Sequence, residues 1–292
     1  MRKYSIMINR KPFVGISAFL IVFLTMPIGH AVMILMENIF GENHQYNAAI
    51  LLGLLGSVIL FIGAKNEKEN TGTWLGLFAG LFIWTGWVEF SFVFYANHLG
   101  VQPIIENGEI VTKPEYLILP SSIGVLLASL LYFFFNKETR CHFFRWFHRN
   151  FTMNIGKATP NKSRNFATIT AMETIYVTWF FYIVLLLIYD NSIFGDRHWV
   201  TFSVFYGSII WSMYLIIRLL KFQKIAPAIR YAIPTVIIFW NAIEILGRWN
   251  FFKEIWIHPG EYALEMGLIF SAFIVVTILT VMTPEGRKPI KV

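Results

Sequence analysis

Charge is what this sequence has least of. Only 14% of its 292 residues are Asp, Glu, Lys or Arg, against roughly 25% in an ordinary soluble domain. With 56% hydrophobic residues and a mean hydropathy of +0.58, such a chain cannot cover a water-facing surface. A soluble domain of this length is therefore excluded. Cysteine is nearly missing as well. Cys141 stands alone, which excludes an intrachain disulfide and a cysteine-built metal cluster. It lies in a basic loop, where it reads as a free thiol kept in reducing cytosol. Catalytic signatures are also wanting: the sequence holds no H-E-x-x-H, no G-x-S-x-G, no P-loop pattern and no H-x-x-H-H cluster.

What the chain has instead is long apolar runs. A helix needs about 20 residues to cross a bilayer, and eight runs approach or exceed that length, near 12–37, 47–64, 73–97, 117–136, 168–189, 199–220, 230–248 and 262–283. The first is too long for a signal peptide and ends in no small-x-small cleavage site, so it is kept as a span. The cations fall on one side of this arrangement. Of 24 Lys and Arg, 20 lie in segments 1–11, 65–72, 137–167, 218–230 and 284–292, and only Lys113, Arg197, Arg248 and Lys253 fall on the other side. The positive-inside rule then places both termini in the cytoplasm, with a plasma (inner) membrane as the site. The net charge of +7 reads as topology and attraction to anionic headgroups, with no nucleic acid as partner.

The acids run the other way. Twelve of 17 Asp and Glu, and five of seven His, fall in the outer loops or the outer halves of spans. The positive-inside rule concerns Lys and Arg and does not account for this. Within this outer set one turn occurs twice: residues 38–44 read Asn-Ile-Phe-Gly-Glu-Asn-His, and residues 192–198 read Ser-Ile-Phe-Gly-Asp-Arg-His. Trp84 and Glu89 in the third run are echoed by Trp240 and Glu244 in the seventh. Pro114-Glu115-Tyr116 is echoed by Pro259-Gly260-Glu261-Tyr262. The order predicts a duplicated unit. The expected fold is an all-α integral membrane protein of eight transmembrane helices, arranged as two parallel four-helix repeats. Residues 1–137 form the first repeat, 138–167 a basic aromatic cytoplasmic linker and 168–292 the second.

Two readings stand for the repeated turn. Asp196 is a good N-cap, and a carboxylate suits the positive end of a helix dipole. Capping does not require His44 or His198, however, and an acid two residues from an imidazole can share a metal ion. His30 and Glu37 lie on one face of the first run, with His30 about 10 Å deeper, where ionisable groups are costly and function is the default reading. Glu244 has Arg248 at i+4, so an ion pair is available to it. Glu89 has no basic neighbour along its own helix and is the stronger proton carrier.

The expected activity is that of a metal-dependent membrane enzyme, an oxidoreductase acting on a small or lipophilic substrate at the outer membrane face. Glu89 and Glu244 are its candidate catalytic groups. Its candidate metal ligands are His30, Glu37, Glu42, His44, His98, Glu115, Asp196, His198, His258 and Glu261, for a transition metal, with iron or copper ahead of zinc. The alternatives are a cation or proton-coupled transporter and a non-catalytic subunit of a membrane complex. Expected partners are the lipid bilayer and a membrane-protein partner or a second copy of the chain.

Overall fold

The computed structural model of the protein describes residues 11–106, 109–157 and 164–281. It is 77% helical, and eight of its helices are long and apolar enough to cross a membrane. In chain order these are α1 (Phe13–Gly41), α2 (His44–Ala64), α3 (Glu69–His98), α4 (Pro114–Phe135), α6 (Phe166–Tyr189), α7 (Trp199–Leu219), α8 (Ile225–Arg248) and α9 (Ala263–Val281). The short helix α5 (His142–Asn150) joins the fourth span to the fifth. Strands β1 (Ile104–Glu106) and β2 (Glu109–Thr112) form a small antiparallel hairpin between α3 and α4.

α8 is the axis of the bundle. Within its membrane-crossing stretch 72% of the residues are buried, against 17% in α4 and 11% in α9, which therefore form the rim. The rim shows large apolar side chains outward, among them Leu131, Phe135, Leu264 and Leu268. A contiguous exposed apolar belt on helices of this length suits hydrocarbon rather than water.

α3 packs on α6 through a glycine seam. Gly72, Gly76 and Gly80 stand at i, i+4 and i+8 on one face of α3, against Ala167, Thr170, Ala171 and Thr174 of α6. A methyl group at Gly80 would lie 2.8 Å from the Thr174 Cβ, and one at Gly76 would run into the Ala167 carbonyl. Small residues at this spacing let two helix backbones approach closely, the usual way apolar helices associate where no hydrophobic drive separates lipid from leucine. Thr170 and Thr174 return their hydroxyls to the carbonyls of Phe166 and Thr170 at 2.7 and 3.0 Å, so the seam is polar in composition and closed in structure.

The two copies of the repeated heptapeptide take different shapes. In the first, Gly41 (φ 61°, ψ 179°) is the one non-helical residue between Phe13 and Ala64, a conformation essentially reserved for glycine. In the second, residues 190–198 form an open loop in which Gly195 also has positive φ, at 105°. The cap of α7 is not Asp196, as the sequence suggested, but His198, whose Nδ1 accepts from the Val200 N–H at 3.3 Å. The aromatic linker helix α5 is not merely laid on the surface, since Phe143 and Phe144 are buried in the main core.

Candidate acid–base site

Two ends of the bundle differ in charge. At one lie Lys65, Lys68, Arg140, Arg145, Arg149 and Arg218; at the other lie Glu37, Glu115, Asp196 and Glu254. We call these the basic and the acidic face. The acidic end of the bundle interior holds the only place where several of the expected functional side chains meet among the described residues.

The centre is His30, three residues after Pro27 in α1. Its Nε2 lies 3.3 Å from Glu244 Oε1 of α8 and 3.4 Å from the Tyr182 hydroxyl of α6. One ring nitrogen thus faces two oxygens from two other helices. The Trp240 indole N–H donates to Glu244 Oε1 at 2.5 Å, one turn back along α8, and the Trp240 ring stacks on His30 with centroids 6.3 Å apart. This fixes the carboxylate toward the imidazole. The ion pair expected between Glu244 and Arg248 does not form. Arg248 Nε instead donates to Asp196 Oδ2 at 3.0 Å, and Nη1 to the Thr112 hydroxyl at 3.1 Å. The reason is geometric: Glu244 turns inward to Trp240 and His30, while Arg248 one turn later is at the level of the loops.

Glu89 approaches from behind. It ends a six-residue π-helical segment, Trp84–Glu89, inside α3. Such a segment inserts a residue into the helical register and is frequent at functional sites. Here it accompanies close packing on α2: Gly86 lies against Gly53 and the Ala49 carbonyl, and the Trp87 indole donates to the Ile50 carbonyl at 3.3 Å. Trp84, Thr85, Tyr182 and His30 all lie near enough to the Glu89 carboxylate to act on it electrostatically. The Tyr182 ring lies against Tyr116 of α4, with centroids 6.0 Å apart. Glu89 is 6% exposed, whereas the His30 and Glu244 side chains keep 16% and 21%. The histidine pair is therefore less deeply buried than Glu89.

A third carboxylate arrives from the loop after α8. Glu254 folds back over Gly247, where any side chain would collide with its carboxyl group. Burial, and then the charge of Glu244, push Glu254 up to about 8, against the weaker opposite pull of His30 and Arg248. Two residues on, Trp256 is buried against Trp240 with ring centroids 4.9 Å apart, which ties the loop to the centre.

The other expected ligands are spread over the acidic face. Glu37 takes the Lys113 ammonium at 3.0 Å, and Glu115 lies 3.8 Å from the same group. Asp196 holds Arg248. His198 is spent as a helix cap and packs on Phe194 and Trp199. His98 is exposed and stacked on Phe94. His44, His258 and Glu261 are exposed, and the side chain of Glu42 falls outside the described residues. Among the described residues no three His, Cys, Asp or Glu side chains are arranged to hold a metal ion. Among the described residues the surface imidazoles stand on separate turns, and His30, the histidine that meets a carboxylate, is shared with a phenol.

Tyr182 and Glu254 were not legible as site residues. Tyr182 sits in a run of aromatics, residues 179–182, that reads as packing. One signal was available: it continues Thr170, Thr174 and Thr178 at i+4 steps, a polar stripe in an apolar helix. Glu254 looked like one outer-loop acid among many. No family model, no curated protein and no solved structure matches this chain.

Proposed function

We propose that the chain is a multi-pass membrane enzyme of the acid–base type. Its working groups are His30, Glu244, Glu89 and Tyr182, and its substrate is small and lipophilic and reaches them from the acidic face. One observation carries this reading: a single imidazole nitrogen faces a carboxylate and a phenol at 3.3 and 3.4 Å inside a membrane-spanning bundle. Ionisable groups at such depth are expensive and mark function by default. Imidazole with a carboxylate in reach is the commonest equipment for moving a proton to or from a reacting atom. In this reading His30 exchanges the proton with substrate and Glu244 orients the ring and balances its charge. Tyr182 and Glu89 hold the second proton position, and Trp240 and Trp256 supply an apolar wall.

The reading is metal-free, and no redox step is assigned to it. A proton-coupled carrier would need a polar route onward to the basic face. The α3–α6 seam that lies in that direction is packed backbone to backbone, which favours chemistry at one face. On the charge split of the sequence, both termini lie in the cytoplasm and the acidic face points outward from the plasma membrane. The duplicated sequence landmarks further suggest that α1–α4 and α6–α9 descend from one four-helix unit.

The test compares lipid-soluble metabolites, by mass spectrometry, in cells making the wild type, His30→Gln or Glu244→Gln at matched protein levels. The wild type should alter at least one small apolar compound, and either variant should restore the control profile. Identical profiles for wild type and both variants would end the enzyme reading.

A further inference from the structure

The basic face carries a feature that the acid–base centre does not use. α5 is held there by Glu173 of α6, whose Oε1 accepts from the Phe143 N–H at 3.2 Å in the first turn of α5. With Phe143 and Phe144 buried, Arg145 and Arg149, one turn apart, are left exposed side by side. Next to α5, the end of α7 presents Arg218 and Lys221. Arg218 is steadied by the Tyr214 hydroxyl, to which its Nη1 donates at 3.2 Å. Tyr231 of α8 stands between the two elements, its ring centroid 5.8 Å from His142 and 5.1 Å from Phe222.

Two hollows lie near this tyrosine, which lines one of them and packs on Phe222 of the other. One is open, about 440 Å³, and lined by Arg218, Lys221 and Phe222. The other is a shallow crevice of about 20 Å³ lined by Trp146, Trp211, Leu215, Tyr231 and Ile238, over which a chain can lie but into which it cannot enter. Trp211 precedes Arg218 by seven residues, so the crevice lies about 10 Å deeper along α7 than the basic hollow. That offset matches the step from a headgroup phosphate to the upper acyl chain.

The charge around it is one-sided. Among the described residues, Arg145, Arg149, Arg218 and Lys221 pair with no carboxylate, while Glu69 and Glu138 are taken by Arg230 and Arg140. Burial, together with Arg230, Arg145 and Arg149, holds His142 down to about 4, so it stays neutral beside them.

We propose that this is a binding site for one anionic phospholipid, its phosphate held by Arg218 and Lys221, with Arg149 of α5 adding to the positive charge around it, and its acyl chain lying along Trp146, Trp211 and Leu215. Cations near a membrane surface favour anionic lipids by about 1 kcal/mol each, and the aromatic crevice adds a requirement for the chain.

Native mass spectrometry of the full chain, released from detergent with phosphatidylglycerol or phosphatidylcholine added at equal concentration, tests it. Phosphatidylglycerol should be retained in preference. The double variant Arg149→Gln/Arg218→Gln should weaken it about thirtyfold. Arg197→Gln/Lys253→Gln, which removes two charges from the acidic face, should leave it unchanged. Trp211→Ala should lower lipid retention without changing the response to inorganic phosphate. Equal retention of both lipids by the wild type would overturn the proposal, as would an equal loss in the acidic-face control. Displacement of the lipid by millimolar inorganic phosphate, with no effect of Trp211→Ala, would reduce the site to a phosphate site and overturn it too.

Discussion

Burial and the charge of Glu244 push Glu254 up to about 8 from an ordinary 4.5, so at neutral pH the folded chain keeps a proton there that the unfolded chain has lost. Between about pH 4.5 and 8 the native state therefore binds more protons at this residue, and its contribution to stability falls as pH rises, levelling off above 8. Thermal unfolding in detergent across this range should show the decline in the wild type and a shallower one in Glu254→Gln, which cannot ionise. Parallel curves would mean that the loop does not hold the carboxyl against Glu244. Asp196 gives a second test at this scale. Its carboxylate holds Arg248, which also bonds Thr112, so three segments of the acidic face meet at one guanidinium. Asp196→Asn should cost about 1.5–3 kcal/mol, the usual range for hydrogen bonds to a charged group. A loss of only a few tenths would return Asp196 to the role of a replaceable turn residue.

At the scale of elements, packing rather than propensity decides which helices meet. Gly72, Gly76 and Gly80 are spaced for one helix face, and their partners on α6 are small or β-branched, so the α3–α6 pair approaches more closely than any larger residue would allow. Gly76→Ala should destabilise the bundle by about 1–3 kcal/mol through overpacking, whereas Gly124→Ala, which faces open space, should be neutral or better in its helix. Reversible unfolding in mixed micelles measures both, and equal effects would show that the seam tolerates a methyl group. The same seam closes the hydroxyl stripe of α6 at Thr170 and Thr174. Thr170 and Thr174 are pressed against glycine backbone and satisfied by their own helix, leaving no room for water between them. The π-helical turn at Trp84–Glu89 is the complementary case: there α3 departs from regular geometry, and the departure ends on a buried carboxylate.

For the molecule as a whole, the apolar runs were long enough to give the number and place of the spans from the sequence, with ends wrong by a few residues where Glu69, His98 and His44 extend helices beyond their hydrophobic centres. Glu89 and Glu244 could be picked out because a carboxylate in an apolar run has no innocent solvent to face. His30 was legible for the same reason. The partners were not: which helices bring Tyr182 and Glu254 to His30 depends on packing among eight spans, and periodicity along one helix carries no information about that. The surface histidines were named from composition, whereas ligation needs convergence, and among the described residues they stand apart. Orientation remains the sharpest prediction at this scale. Cys141 is buried, so the native thiol is shielded and single cysteines can be added at Lys157 and Lys253, both exposed. Three spans, α6 to α8, separate these positions, which must then lie on opposite sides of the membrane. The excess of Lys and Arg on the basic face puts position 157 in the cytoplasm. In intact cells an impermeant maleimide should label Lys253→Cys and reach Lys157→Cys only after permeabilisation. The reverse pattern would invert the protein and put the His30–Glu244 pair near the cytoplasm. Labelling of both from outside would require an even number of crossings between them, and one of α6, α7 or α8 would then not span.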